Sequence, residues 1–396
     1  MRKSNFVCIA FVSMTVLAIG CKRDVPKPNP QPPTPKEYTY DVYVAGTQET
    51  GSGEVAMLWT NGTPTPLSEE KEYASALAVG VRGSDVYVAG NRKVGTEMVA
   101  TLWKNTQPLS LPFATRGAYT HTAEQGLQGT LMRAPLRREV GAPRGDSYTK
   151  FASATALCLT DNDLYVVGYD SKGAAGEPVA MLWRNESLMP PLEEAQNAHP
   201  LSVWVAGGRV YVAGYKEQWG KRIAMLWENG KAKPLTMGSE NAEAHAVCGT
   251  AESLYAVGWK QQGENRVAIL WKDGSPMQLS SLHAEDAEAF DLCIADNKLY
   301  IVGYEALGER TEAMLWHDGK VTKLPSSSDL SEARAIYEVD GTFYIVGYEE
   351  DSTSDMNVAI LWKRKGNTGD WEVQRLTDGK SNAEACSVYV VKQEKK

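Results

Sequence analysis

The chain of 396 residues is poor in phenylalanine and histidine, with 6 and 5 copies. Basic residues are outnumbered: 41 Lys and Arg stand against 49 Asp and Glu, a net charge of −8. That balance excludes a generally basic nucleic-acid binder, because phosphate binding needs clustered Lys and Arg. The apolar stretch Phe6 to Gly20 falls short of the roughly 20 residues a spanning helix needs. Catalytic signatures are missing too. The chain has no nucleophile elbow, no phosphate-cradling Walker loop, no dinucleotide glycine fingerprint and no His-Glu-x-x-His. The histidines, His121, His199, His245, His283 and His317, share no recurring ligand spacing. What remains, 43% apolar and 23% charged residues, describes a soluble globular protein. Its length suggests two or three domains, although large all-β rings reach this size as one. Its 18 Tyr and 11 Trp against 6 Phe ask for a repeated cause.

The N-terminus reads as a targeting segment. Arg2 and Lys3 precede the apolar run, which ends in Leu17-Ala18-Ile19-Gly20-Cys21. A signal-sized apolar run closed by a small residue and Cys resembles a bacterial lipobox, with Ala18 where Leu is usual. The resemblance implies that residues 1–20 are removed and that Cys21 becomes the lipidated first residue; an ordinary cleaved signal or an uncleaved anchor is the alternative. Pro26, Pro28, Pro30, Pro32, Pro33 and Pro35 then exclude helix and strand. Residues 21–36 are expected to form a tether, its ten proline-dense residues 26–35 extending about 30 Å at roughly 3 Å per residue. Lys22 stands where Asp resembles an inner-membrane retention signal, so the expected address is the bacterial outer membrane.

From residue 41 onward one phrase recurs: Val42-Tyr43-Val44-Ala45-Gly46, then Ala56-Met57-Leu58-Trp59, then Asn61-Gly62. Its Tyr falls at 43, 87, 165, 211, 255, 300 and 344, and its Trp at 59, 103, 183, 227, 271, 316 and 362. Copies built of short strands at a period of about 45 residues are the signature of a β-propeller. Each copy reads as four strands. Strand a is alanine-rich, as in Ala242 to Val247; strand b holds the Tyr; strand c is continuously apolar, as in Ile223 to Trp227; strand d is short. Asn-Gly and Asp-Gly pairs between c and d accept the positive φ of a tight hairpin. Pro66, Pro108, Pro190, Pro191 and Pro234 place d at the outer edge, because proline cannot donate to a ladder.

The first copy begins at strand b, and the chain ends with Asn382 to Val388, a strand a that no copy follows. The expectation is therefore an all-β, seven-bladed propeller of four-stranded blades over residues 37–396, its ring closed by the C-terminal strand. The repeat resembles a family of exported bacterial β-propeller lipoproteins with Tyr-Val-Ala-Gly…Leu-Trp-Lys-Asn-Gly units. The resemblance covers residues 38–392, implies the fold, and brings no settled activity; nothing in the chain resembles the sialidase Asp-box. Repeated Tyr and Trp are read as inter-blade core.

Aligning the a strands before their central Ala, with Pro200 in its place in one copy, brings together Ser75, Ser153, His199, Glu243, Glu288, Glu332 and Glu384. Four neighbouring carboxylates at a channel mouth would repel, which raises pKa or recruits Ca²⁺; alternatively they bond backbone or solvate the mouth. After the strand b glycine, Tyr169, Tyr215, Trp259, Tyr304 and Tyr348 form an arc on the same face, suited to stacking on sugars or holding a cationic peptide, or simply extending the packing. Trp219, in a b–c turn, is the aromatic that packing explains least. The insertion at about 112–150 is basic and contains Arg144-Gly145-Asp146, which resembles an integrin-binding tripeptide; a solvated loop or a cover over the mouth is the plainer reading. Cys158, Cys248 and Cys293 share one register and are expected as free buried thiols, too far apart for a disulfide.

These features point to a monomeric, lipid-anchored binding or scaffold module of the cell envelope, taking a protein, peptide or glycan and no nucleic acid, with no resident cofactor unless Ca²⁺. The enzymatic alternative is a Ca²⁺-dependent hydrolase or lactonase-like activity at the acidic mouth.

Overall fold

The computed structural model describes residues 36–112, 150–171, 176–366 and 369–395. The signal stretch 1–20, Cys21, the tether up to residue 35 and nearly all of the insertion, including Arg144-Gly145-Asp146, lie outside the described residues. Every described element of regular structure is a β-strand. Among the described residues no helix is long and apolar enough to cross a membrane.

Each copy of the repeat folds into an antiparallel run in the order a, b, c, d. In the copy around Tyr255 these strands are Ala242–Gly249, Leu254–Gln262, Asn265–Lys272 and Ser275–Gln278. Five sheets are four-stranded, and the second and third copies share one eight-stranded sheet. They join because Glu97 and Met98 pair in parallel with Lys150 and Phe151. Strand c is apolar throughout because it is covered on both faces: Ile223, Ala224, Met225, Leu226 and Trp227 are all buried. Strand d is the rim. Ser275–Gln278, Lys320–Lys323 and Glu372–Arg375 are exposed at every position. Pro66, Pro108 and Pro234 do lie on d strands, but Pro190 and Pro191 do not. In that copy strand d shrinks to Ser187–Leu188, and the prolines follow it into the next connection.

The c–d turns use left-handed backbone at two successive positions, as in Asn61 (φ 51°) and Gly62 (φ 81°). The first turn residue has a second task. Asn61 Oδ1 accepts the amide N–H of Val42 at 2.9 Å, and Asn105, Asn185, Asn229 and Asp273 repeat the bond at the start of their own b strands. An Asn or Asp is therefore required there for its side-chain oxygen as well as for its φ.

A second device recurs between a and b. The pairing slips by one residue in each copy, for instance between Ala244 and Ala246, leaving His245 unpaired in a β-bulge. Opposite lies the glycine of the repeat. A Cβ built on Gly258 would stand 1.9 Å from the Glu243 carbonyl oxygen, and Gly303 and Gly347 meet Glu288 and Glu332 at the same distance. The glycine is there for close approach, not for a turn.

Among the described residues seven apolar clusters hold the sheets face to face, each shared by two copies. One sheet typically contributes its Tyr and Leu, the next its Trp, as where Tyr165 and Leu182 meet Trp227. Each buried Trp removes about 150–250 Å² from water, several kcal/mol before entropy at roughly 25 cal/mol per Å². Tryptophan offers what phenylalanine lacks. Trp183, Trp227 and Trp362 donate Nε1–H to the carbonyls of Pro112, Glu193 and Pro325 in the d–a connections. Among the described residues no earlier a strand lies beside Tyr38–Glu49. Ala383–Glu394 pairs with it instead, from Tyr38↔Glu394 to Gln48↔Ala383, and packs against Ser331–Val339 and Ala74–Arg82.

The bulge contact predicts a sharp contrast between two glycines. Gly258→Ala is expected to cost about 2–4 kcal/mol in chemical denaturation. Gly51→Ala, with nothing within 4 Å of its Cβ, should stay within about 0.5 kcal/mol of the parent. Equal effects would contradict the close-approach role.

Candidate functional site

The bulges build the site. The residues they leave unpaired are Leu77, Thr155, Leu201, His245, Phe290, Arg334 and Cys386. All seven line one cavity of about 320 Å³, where the a strands of successive sheets pack together. One part of the wall is small and weakly polar, with Ser153, Thr155, Leu77 and Leu201. The other is charged, with Arg222, Arg266 and Arg334 facing Glu243, Glu288 and Glu332.

The carboxylates are not the bare, repelling cluster expected from the alignment. Glu243, Glu288 and Glu332 are buried, and each has its own arginine. Arg222 Nη1 donates to Glu243 Oε1 at 2.5 Å, and His245 Nε2 lies 3.2 Å from Glu243 Oε2. Arg266 bridges Glu288 and Asp286, and the Tyr304 hydroxyl donates to Glu288 Oε1 at 3.2 Å. Arg334 Nη2 is 2.9 Å from Glu332 Oε2. Glu384 is half-buried, and the Asn357 amide donates to it at 3.4 Å. The predicted rise in pKa is reversed at Glu243. Burial alone pushes its carboxyl up, but the hydrogen bond and charge of His245 and the charge of Arg222 bring it down to about 2. Among the described residues no group of three or more His, Cys, Asp and Glu is placed to hold a metal ion. One oxygen each of Glu243, Glu288 and Glu332 is paired with a guanidinium group.

His199 occupies the glutamate position of its copy and is sandwiched between Tyr169 and Tyr215, ring centroids 4.6 Å away on both sides. Burial, then the charge of Arg222, outweigh the pull of Glu243 and lower its pKa to about 4, so it is neutral at pH 7. The aromatic arc stands in cross-strand register with the acidic set: Trp259 faces Glu243, Tyr304 faces Glu288 and Tyr348 faces Glu332. Its members are covered, however. Tyr215, Trp259 and Tyr304 are buried, while Tyr169 and Tyr348 are half-buried. Arg222 lies over Tyr215 at 5.0 Å, Arg266 over Trp259 at 5.6 Å and Arg334 over Tyr348 at 5.6 Å. The arc is a floor that carries the arginines. Trp219 is different, standing out from its b–c turn into solvent.

Arg222, Arg266, Arg334, His245 and Phe290 escape a reading organised around carboxylates. Two signals for them were present. Arg222 and Arg266 both stand five residues before the repeat Trp, and a glycine inside every b strand marks a bulge opposite.

Cys158, Cys248, Cys293 and Cys386 are free. By area they are half-buried rather than fully buried, yet burial pushes the Cys248 and Cys386 thiols up to about 12. Cys158, Cys248 and Cys293 share a register opposite Tyr165, Tyr255 and Tyr300, whereas Cys386 is a bulge residue of the cavity.

No protein-family model matches the chain, and the search of curated proteins gives no match. Among solved structures it is similar to the uncomplexed acylaminoacyl peptidase of Pyrococcus horikoshii, with a TM-score of 0.47 and 12% identity over 86% of this chain and 51% of that one. The chain thus spans about half the length of that peptidase. The β-propeller domain of the Trilobed protease from Pyrococcus furiosus has a TM-score of 0.46 and 12% identity, over 88% of this chain and 98% of that one. TolB from Acinetobacter baumannii has a TM-score of 0.40 and 10% identity, over 87% and 63%.

One half-buried acid beside the cavity makes stability depend on pH. Asp291 follows the Phe290 bulge and accepts the amide N–H groups of Leu292 at 2.8 Å and of Ile336, in the next a strand, at 2.9 Å. Burial outweighs both bonds and raises its pKa to about 7. The folded state therefore keeps a proton that the unfolded chain releases near pH 4. That contribution is complete below pH 4 and is lost as pH rises through 7. The melting temperature should fall by several degrees more in the parent than in Asp291→Asn between pH 5 and pH 8. Parallel curves would contradict this assignment.

Proposed function

We propose that the protein is a lipid-anchored, exported binding module of the bacterial cell envelope: a seven-bladed β-propeller closed by its C-terminal strand, taking its ligand on the face where the innermost strands begin. The observation that carries this reading is the bulge series. The same local defect in every copy aims a different side chain into one shared cavity, with Leu, Thr, His, Phe, Arg and Cys among them. Strand order and the bulge recur in every copy while the side chain at the bulge changes, and such variation at inward-aimed positions favours a recognition site. The pairing of Ala383–Glu394 with Tyr38–Glu49, and the apolar cluster that Tyr344 and Leu361 share with Val44 and Trp59, support a closed ring. Cys21 after an apolar run, followed by the proline-rich segment, supports a lipid anchor on a tether, with the outer membrane as its address.

Recognition fits this cavity better than catalysis. Glu243 stays ionised far below neutral pH, Glu288 and Glu332 are ion-paired, and His199 is neutral. Such groups hold a ligand through fixed hydrogen bonds more readily than they exchange protons with one. The module acts as a monomer and uses no resident cofactor.

Two experiments test the two halves of the proposal. Bacteria expressing the full chain with labelled palmitate should yield a labelled, membrane-associated protein, and Cys21→Ala should lose both label and association; label retained in the variant contradicts the anchor. A panel of neutral oligosaccharides and short peptides should contain a ligand whose affinity falls about tenfold or more in Arg222→Ala. Turnover of ester or lactone substrates that requires Ca²⁺ and disappears in Glu243→Gln with Glu288→Gln would overturn the binding reading.

A further inference from the structure

The face on which the a strands begin also carries large apolar side chains in solvent. Trp219 is 87% exposed, Met237 96%, Leu282 91% and Leu307 59%. Trp219 lies in a b–c turn, Met237 and Leu282 in d–a connections, and Leu307 at the end of the b strand Lys298–Leu307, all within the fourth to sixth copies. Because b and d run antiparallel to a and c, these connections emerge at one edge of their sheets, the edge where each a strand begins. They therefore occupy one sector of the mouth face. Solvated surfaces carry single apolar residues routinely, but four large ones on adjoining connections call for an occupant.

The backbone holds these side chains in place. Trp219 sits at φ 51°, a left-handed position that an aromatic residue rarely takes and that Asn or Asp fills in the c–d turns. Strain kept on an exposed ring is a mark of use. The connection bearing Leu282 is tied to the strand bearing Leu307: Ser281 donates its N–H to Glu305 Oε1 and its hydroxyl to Glu305 Oε2, both at 2.8 Å, and the Gly308 N–H bonds Glu285 at 3.1 Å. The connection bearing Met237 is tied beside the Trp219 turn, where the Arg222 N–H donates to Asn241 Oδ1 at 3.0 Å.

The b–c turns and d–a connections of these three copies carry Glu240, Glu264, Glu285, Glu309 and Asp329, and neither Lys nor Arg. Lys260 neutralises Glu240 and Arg310 approaches Asp329 at 3.6 Å from neighbouring strand ends, whereas Glu264 and Glu309 stand exposed at their turn tips. We propose that this sector docks a basic polypeptide segment whose apolar side chains seat on Trp219, Met237, Leu282 and Leu307, with its Lys and Arg reaching Glu264 and Glu309. Charge selects this occupant. An anionic bilayer is repelled by the carboxylates, and a second copy of the chain is itself acidic at −8. The inference rests on taking this face as the binding face, but it uses different residues from the cavity.

The test uses the full-length chain in a mild non-ionic detergent, titrated calorimetrically with synthetic peptides. One peptide alternates Lys with Leu and Trp; in the others Lys becomes Glu, or Leu and Trp become Ser. The Lys–Leu–Trp peptide is expected to bind about tenfold or more tighter than either control, and more weakly as salt rises. Trp219→Ala and Leu282→Ala should each weaken it about fivefold or more, and Glu264→Lys with Glu309→Lys should flatten its salt dependence. These substitutions lie at exposed tips, so an unchanged melting temperature checks the fold. Arg222→Ala should leave peptide binding intact. Peptide binding lost in Arg222→Ala but kept in Trp219→Ala would overturn this proposal and leave the cavity reading standing. Equal affinity for all three peptides, or association with phosphatidylcholine vesicles through Trp219 in place of the peptides, would also overturn it.

Discussion

A carbonyl oxygen at the start of each inner strand occupies the space that a Cβ on the facing strand would need, and only glycine leaves it free. Much of the molecule depends on that contact. It lets the inner strand bulge, and the bulge turns one side chain per copy out of the ladder and into the shared cavity. Without it the inner strands would alternate strictly, and the cavity would be lined by the alanines that now pack between sheets. The same glycine therefore serves the repeat, the packing and the site.

The charged half of the cavity shows how a protein keeps three carboxyl and three guanidinium groups around one cavity. Each glutamate is matched with an arginine, and the arginines lie over aromatic rings. Desolvation is costly for either charge alone, and the pairing offsets it. The result is a wall that is polar but balanced, with its hydrogen-bonding directions fixed before any ligand arrives. Glu243, drawn toward both Arg222 and His245, is the clearest case, because burial there is overcome by its neighbours.

Strand order, turn type and the inter-sheet role of Tyr and Trp were legible in the sequence because each follows from a local rule applied in every copy. Trp183, Trp227 and Trp362 each use the ring donor on a connection carbonyl, whereas the Nε1 of Trp59, Trp103 and Trp271 is buried without a hydrogen bond. The site was legible only in part. Glu243, Glu288 and Glu332 were found by alignment, but their partners come from other strands: Arg222 and Arg266 from the starts of c strands, and Arg334 from a bulge. Register slips are set by the close approach of two backbones, and hydrophobic period does not reveal them. The aromatic arc was expected on the same face as the acids, and Trp259, Tyr304 and Tyr348 pair across strands with them; whether Tyr215 or Trp259 is open to solvent depends on the arginines above them. Trp219 was singled out because no packing rule used it, and it is the ring that remains uncovered.

The central claim is that one cavity is assembled by the inner strands of all copies, the last supplied by the C-terminus. Deleting residues 382–396 tests it directly, because this removes the strand beside Tyr38–Glu49 and the Cys386 wall of the cavity while leaving six complete runs of four strands. A closed ring predicts that the truncated chain loses its cooperative thermal transition, or melts at a temperature lower by roughly 10 °C or more. An unchanged, cooperative melt would contradict the account.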